Sequence, residues 1–270
     1  MTEPTIKPPR GGAKGAGEAK EDLAEGTLIS HLIELRQRLV KATLGIFVVF
    51  ICLVPFANRI FEMLAAPLRE VLPEGSSLIT IGIPAPFLVP FKTTLFAALF
   101  LAMPIVLYQM WRFVAPGLYR KEKRFAVPLL LSSILLFYAG VAFAYFVVFR
   151  LVFAFFVGVT PESVVNMPDI GQYLSFVLTL CFAFGLAFEV PVATVILVWS
   201  GLARVETLAS GRAYIFLGAF VIGMFLTPPD VLSQTLLAVP MYLLYEAGLF
   251  LAKILLPEKT APEAPSDEAA

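Results

Sequence analysis

The stretch Tyr173-Leu174-Ser175-Phe176-Val177-Leu178-Thr179-Leu180-Cys181-Phe182-Ala183-Phe184-Gly185-Leu186-Ala187-Phe188-Glu189-Val190-Pro191-Val192-Ala193-Thr194-Val195-Ile196-Leu197-Val198-Trp199 decides the fold. Its 27 residues reach about 40 Å as a helix at about 1.5 Å per residue, enough to cross a roughly 30 Å hydrocarbon layer with tilt. The stretch is a membrane span. Its centre falls at Leu186, so Glu189 lies about 4.5 Å from the midplane when the helix is centred. A charge at that depth costs about 2.5–3.5 kcal/mol on insertion scales, so such a residue faces a water-filled cavity, a partner or a substrate path. The competing reading is a protonated Glu189 bonded to a neighbouring helix. Two residues on, Pro191 has no N–H to give the carbonyl of Ala187, which predicts a kink beside the acid.

The whole chain has the same character. Of its 270 residues 59% are hydrophobic and only 15% charged, a balance outside that of soluble globular domains. An all-α polytopic membrane protein is the expected fold class. The formal charge is zero, so nothing global points to nucleic acid. Cys52 and Cys181 both fall in apolar runs and read as small buried hydrophobes. No apolar segment follows Met1, so no cleavable signal peptide is expected.

Residues 1–26 hold Thr, Pro, Gly, Ala, Lys and Glu with few large apolar side chains, and a disordered arm is expected there. From Thr27 to Lys41, Leu28, Leu32, Leu35 and Leu39 form a helical stripe opposite Glu34, Arg38 and Lys41. This is an amphipathic lead-in at the membrane surface. The membrane domain, 27–256, is expected to hold spans at about 39–57, 87–114, 125–156, 173–199, 213–226 and 231–252, with a disordered tail at 257–270. Asn58 to Leu72 predicts a short surface helix, and Pro104 interrupts the second span before Trp111 and Arg112 at an interface. The fifth run, Ala213 to Leu226, has 14 residues, about 21 Å at 1.5 Å each, short of the hydrocarbon thickness. It is either a re-entrant arm or a place where the bilayer thins.

Orientation follows from the basic residues. With the N-terminus inside, the inner regions hold twelve Lys and Arg, the first 20 residues aside, and the outer regions four. That excess predicts both termini in the cytoplasm. The densest run, Arg120 to Arg124, lies in the loop after span two.

Few residues can do chemistry. No glycine-rich phosphate loop ends in Lys-Ser or Lys-Thr, and the lone histidine, His31, forms no metal constellation. Neither cofactor nor metal is expected, and enzyme chemistry is not, because no base accompanies a serine or cysteine nucleophile. Conspicuous carboxylates remain. Glu34 either pairs with Arg38 at i,i+4 or accepts a ligand guanidinium, and Glu122 either balances its loop or does the same. Glu246, near Tyr245, is a second acid within a span. Thr227 and Gln234 either bond locally or meet a docking helix. Asp230 is placed to cap the last span.

Ser30-His31-Leu32-Ile33-Glu34-Leu35-Arg36, Ala115-Pro116-Gly117-Leu118-Tyr119, Phe184-Gly185-Leu186-Ala187-Phe188-Glu189-Val190-Pro191 and Leu226-Thr227-Pro228-Pro229-Asp230-Val231-Leu232-Ser233-Gln234 closely resemble the TatC family, the polytopic receptor of the twin-arginine protein translocase. The likeness covers about Leu28 to Leu255 in motif order. It implies six tilted helices forming a concave, glove-like wall in the cytoplasmic (inner) membrane. It also implies binding of twin-arginine signal peptides of folded proteins at the cytoplasmic face. Assembly with single-span TatA-like and TatB-like partners, self-association in a multi-subunit complex and transport driven by the proton motive force are implied as well. Residue by residue, Glu34 and Glu122 match the family's signal-peptide acids, with Arg36 and Phe113 beside them. Glu189 matches its intramembrane acid, Pro67 and Asp230 its periplasmic-side positions, and Met224, Thr227 and Gln234 its partner-docking site.

Two other functions fit a polytopic chain with buried acids. A proton-coupled small-solute transporter would use Glu189 as carrier, although the long second and third spans do not repeat in the short fifth and sixth. A passive scaffold would need none of these acids.

Overall fold

The computed structural model describes the backbone of residues 14–71, 79–114, 123–159, 167–226 and 231–255, and there the side chains other than those of 14–28, 30, 31, 67–71, 114, 123–126, 157 and 233. Helix α1, Lys14–Leu53, joins the lead-in and the first span without a break. It starts inside the stretch expected as a disordered arm, because Ala19, Lys20, Glu21, Leu23, Ala24 and Glu25 are strong helix formers that extend the lead-in backwards. A 3₁₀ turn, Val54–Phe56, with Pro55 in its first positions, leads to α2, Ala57–Val71, the surface helix expected from its periodicity. Cys181 is buried as anticipated, but Cys52 faces outward from α1. It shares that outward surface with Leu44, Phe47 and Ile51, which a bilayer can cover.

The second span is two helices, α3, Ala85–Leu101, and α4, Met103–Val114, bent by 51° at Ala102. Pro104 sits just after the bend and has no N–H for the carbonyl of Phe100, four residues back. The hydroxyl of Tyr138 donates to that carbonyl at 3.0 Å, so the backbone group the proline strands is satisfied by a neighbouring helix. Tyr138 belongs to α5, Lys123–Phe143, which continues through a π-helical segment, Ala144–Val148, into α6, Phe149–Val159.

The organising span is likewise broken. It consists of α7, Ile170–Ala187, and α8, Val190–Trp199, with the junction at Phe188 and Glu189. A short α9, Val205–Ser210, precedes α10, Arg212–Leu226, and α11, Val231–Leu255, completes the fold. The runs Leu32–Ala66, Val127–Phe156, Ile170–Trp199 and Gln234–Leu255 are long and apolar enough to cross a membrane, and the bent α3–α4 pair makes a fifth. The fifth expected span is α10, whose 15 residues give about 22 Å of helix, short of a hydrocarbon layer as its length in the sequence predicted.

Helix α5 packs on α7, α8 and α10 on α11, and α1 along α3 and α4. Two of these seams need glycine. A Cβ on Gly140 would lie 2.5 Å from the carbonyl oxygen of Phe184, and one on Gly185 would lie 2.6 Å from the Phe137 ring. On the other seam a Cβ on Gly248 would come within 2.8 Å of the Pro191 Cα. Small residues let the backbones approach, which is how helices gain contact where no hydrophobic effect drives them together. Phe137, Phe149, Phe184, Leu174 and Leu178 are completely enclosed as a result.

Outside the spans, a single parallel bridge joins Ile79 to Asp169. Ile170 N donates to Ile79 O at 3.0 Å and Ile79 N to Pro168 O at 3.3 Å. The Asp169 carboxylate caps α7, accepting from Gly171 N and Gln172 N, and also takes Ile81 N, each at 3.3 Å. One acid therefore starts a span and holds the loop before α3 against it.

Candidate functional site

Glu189 sits where the span breaks. Its N–H donates to Leu186 O at 3.0 Å and its carbonyl accepts from Ala193 N at 2.8 Å, so the backbone passes through a tight turn at the N-cap of α8. Pro191 follows inside the first turn of α8, where a missing N–H costs nothing. The side chain makes no capping bond and points away from its own helix end. Its Oε2 instead accepts from Ser133 Oγ on α5 at 2.6 Å, and Ser133 Oγ accepts from Trp111 Nε1 on α4 at 3.0 Å. Oε1 is buried and has no hydrogen-bond partner among the described residues.

The bond from Glu189 to a neighbouring helix is therefore present. Trp111 is buried in a cluster with Met103, Leu107, Phe137, Val192 and Ile196. A tryptophan is held inside when its N–H finds an acceptor, which Ser133 supplies. Sequence alone gave no pointer to Ser133, an ordinary serine in an apolar run 56 residues away from its acid.

At the other end of the lead-in, Glu34 pairs with Arg38, whose Nε lies 3.0 Å from Glu34 Oε1 and whose Nη2 contacts the same oxygen. The expected i,i+4 pair is thus present, with the Glu34 side chain 37% exposed and Arg38 15%. Arg36 is exposed on the same helix and Phe113 is half-buried in the last turn of α4. Because α1 runs along α4, the helix bearing Glu34 and Arg36 lies beside the one that ends in Arg112 and Phe113. Glu122 lies outside the described residues, as do Thr227 and Asp230, and of Pro67 only its place in α2 is described.

Of the partner-docking candidates, Met224 is 49% exposed on α10. Gln234 is turned inward: its Nε2 donates to Phe220 O at 2.8 Å, and its side chain rests where a Cβ on Gly223 would reach 3.3 Å from Gln234 Cγ. Local bonding of the Gln234 amide is what the fold shows. Glu246 lies in α11 and bonds Arg212 and Tyr242 Oη, the latter at 2.8 Å, while its neighbour Tyr245 donates from Oη to Leu208 O at 2.6 Å. Among the described residues no group of His, Cys, Asp and Glu is placed to hold a metal.

Long apolar helices, one pair bent at Ala102 and one run interrupted at Phe188 and Glu189, define a multi-pass integral membrane protein. A family model described as Sec-independent protein translocase protein (TatC) matches residues 30–240. The chain belongs to the TatC family and is a component of the Sec-independent protein translocase. It is 60% identical over 223 residues to the TatC of Azotobacter chroococcum mcd 1, covering 83% of this chain and 88% of that one. The TatC of Escherichia coli strain K12 is 54% identical over 226 residues, covering 84% and 88%. Among solved structures, the crystal structure of the twin arginine translocase receptor TatC superposes with a TM-score of 0.76 at 42% identity, covering 83% of this chain and 98% of that one. The same receptor in DDM gives a TM-score of 0.77 at 42% identity, covering 83% and 99%.

Proposed function

We propose that this chain is the receptor subunit of the twin-arginine translocase in the cytoplasmic (inner) membrane, with both termini in the cytoplasm. It binds the twin-arginine signal peptides of folded proteins and is not an enzyme. Its membrane domain, 27–256, crosses six times as a concave wall flanked by the terminal segments 1–26 and 257–270. The observation that supports this most is the packing of α1, which carries Glu34 and Arg36, along α4, which carries Phe113. Glu34 already holds a guanidinium, that of Arg38, and is more exposed than its partner. A signal guanidinium exchanges with that of Arg38 on the carboxylate. Glu122, in the loop after α4, takes the second arginine.

The apolar part of the signal then lies along the concave face towards Glu189, the acid held at the junction of α7 and α8. Pro67 and Asp230 shape the periplasmic side. TatA-like and TatB-like single-span helices dock at Met224, Thr227 and Gln234, copies of the receptor associate in a multi-subunit complex, and the proton motive force drives transport. In this reading the exposed side chain of Met224 is what a partner helix covers, and Gln234 holds α10 against α11.

Binding of a labelled twin-arginine peptide to the full chain in lipid nanodiscs tests the proposal. The double variant Glu34→Lys, Glu122→Lys is expected to lose peptide binding and export while inserting normally. Undiminished binding or full export in that variant overturns the assignment.

A further inference from the structure

We infer that Ser133 and Trp111 are positioning residues for Glu189, holding its carboxyl through Oε2 and so coupling it to the end of α4; the inference rests on the receptor reading above. The direction of the hydrogen-bond chain follows from the groups themselves. An indole N–H only donates, so Ser133 Oγ must accept from Trp111 at 3.0 Å. The single hydroxyl proton of Ser133 is then committed to Glu189 Oε2 at 2.6 Å. No capping bond competes for the side chain, although Glu189 occupies an N-cap position.

Burial makes the arrangement durable. Ser133 is fully enclosed and Trp111 7% exposed, so water does not break into the chain, and in a low dielectric such linked bonds reinforce one another. The chain also crosses the molecule. Trp111 stands immediately before Arg112 and Phe113 at the end of α4, Ser133 is on α5, and Glu189 joins α7 to α8. Movement of the end of α4, where the signal arginines are proposed to dock, is therefore transmitted to the acid through two rigid contacts.

The sequence holds two tryptophans, so Trp199→Phe leaves Trp111 as the sole indole fluorophore of the full chain in nanodiscs. Glu189→Ala in that background is expected to shift the Trp111 emission, and Ser133→Ala introduced first is expected to abolish the shift. In export assays Ser133→Ala and Glu189→Gln should each lower the rate, and the double variant should be no slower than the slower single. Trp111→Phe, which keeps a ring and removes the N–H, provides a second route should Ser133→Ala insert poorly, with the same non-additivity towards Glu189→Gln. Additive losses, or an emission that ignores Glu189→Ala, overturn the inference. The emission measurement needs no peptide, so failure of peptide binding strikes the receptor reading alone, whereas normal peptide binding with an unmoved emission strikes this inference alone.

Discussion

Arg212 and Glu246 meet as a two-point fork, Nε to Oε1 at 2.6 Å and Nη2 to Oε2 at 2.9 Å, joining the first residue of the short helix α10 to the middle of α11. The sequence separation is 34 residues, and nothing in either local pattern announces the pair. With Gln234 bonding the middle of α10 through Phe220 O, the short helix is held to its neighbour at its start and at its centre.

The fork should tolerate reversal but not blunting. Arg212→Glu and Glu246→Arg singly are expected to loosen α10 and reduce export, and the charge-swapped double variant to recover most of the loss. Arg212→Lys should recover less than the swap, because an ammonium cannot fill a bidentate site. Disulfide trapping between cysteines placed on α10 and α11, together with export rate, reads both effects.

Tyr138→Phe should lower the thermal midpoint of the purified protein, since it strands the Phe100 carbonyl that Pro104 leaves without its helical donor. The expected loss is about 1 kcal/mol, in the range of interhelical hydrogen bonds in membranes. Pro104→Ala restores an N–H at the bend and should recover part of the loss in the Tyr138→Phe background. A midpoint equal to that of the parent chain would show that the carbonyl finds another donor.

Gly140→Ala tests the α5–α7 seam. Its new methyl would lie 2.5 Å from a backbone oxygen that cannot swing aside, so the helices must part. A loss of about 1–3 kcal/mol is expected, the usual toll of overpacking. Gly218→Ala on α10, where a Cβ meets nothing within 4 Å, is the control and should leave the thermal midpoint unchanged or slightly higher.

Much of this molecule was legible in its residues because bilayers impose length and apolarity on every crossing. The spans, the surface helix α2, the short fifth run and the break beside Pro191 all follow from those two demands. The Glu34–Arg38 pair was legible too, because it obeys helical spacing. What could not be read were contacts between distant segments. Ser133 beneath Glu189, Tyr138 over Phe100 and Arg212 against Glu246 are common residue types whose partners are set by how helices stack. The helical start at Lys14 was missed for the opposite reason: low apolarity argued against order, while local preference for helix persisted.

The rung between Ile79 and Asp169 ties two connections that lie 90 positions apart in the chain into one hoop around the outer rim. A tug on the entry to α7 is handed at once to the approach to α3, and through it to the bent helix pair leading down to Trp111. A displacement at either connection is therefore shared by the starts of both helices, which the bridge makes one mechanical unit.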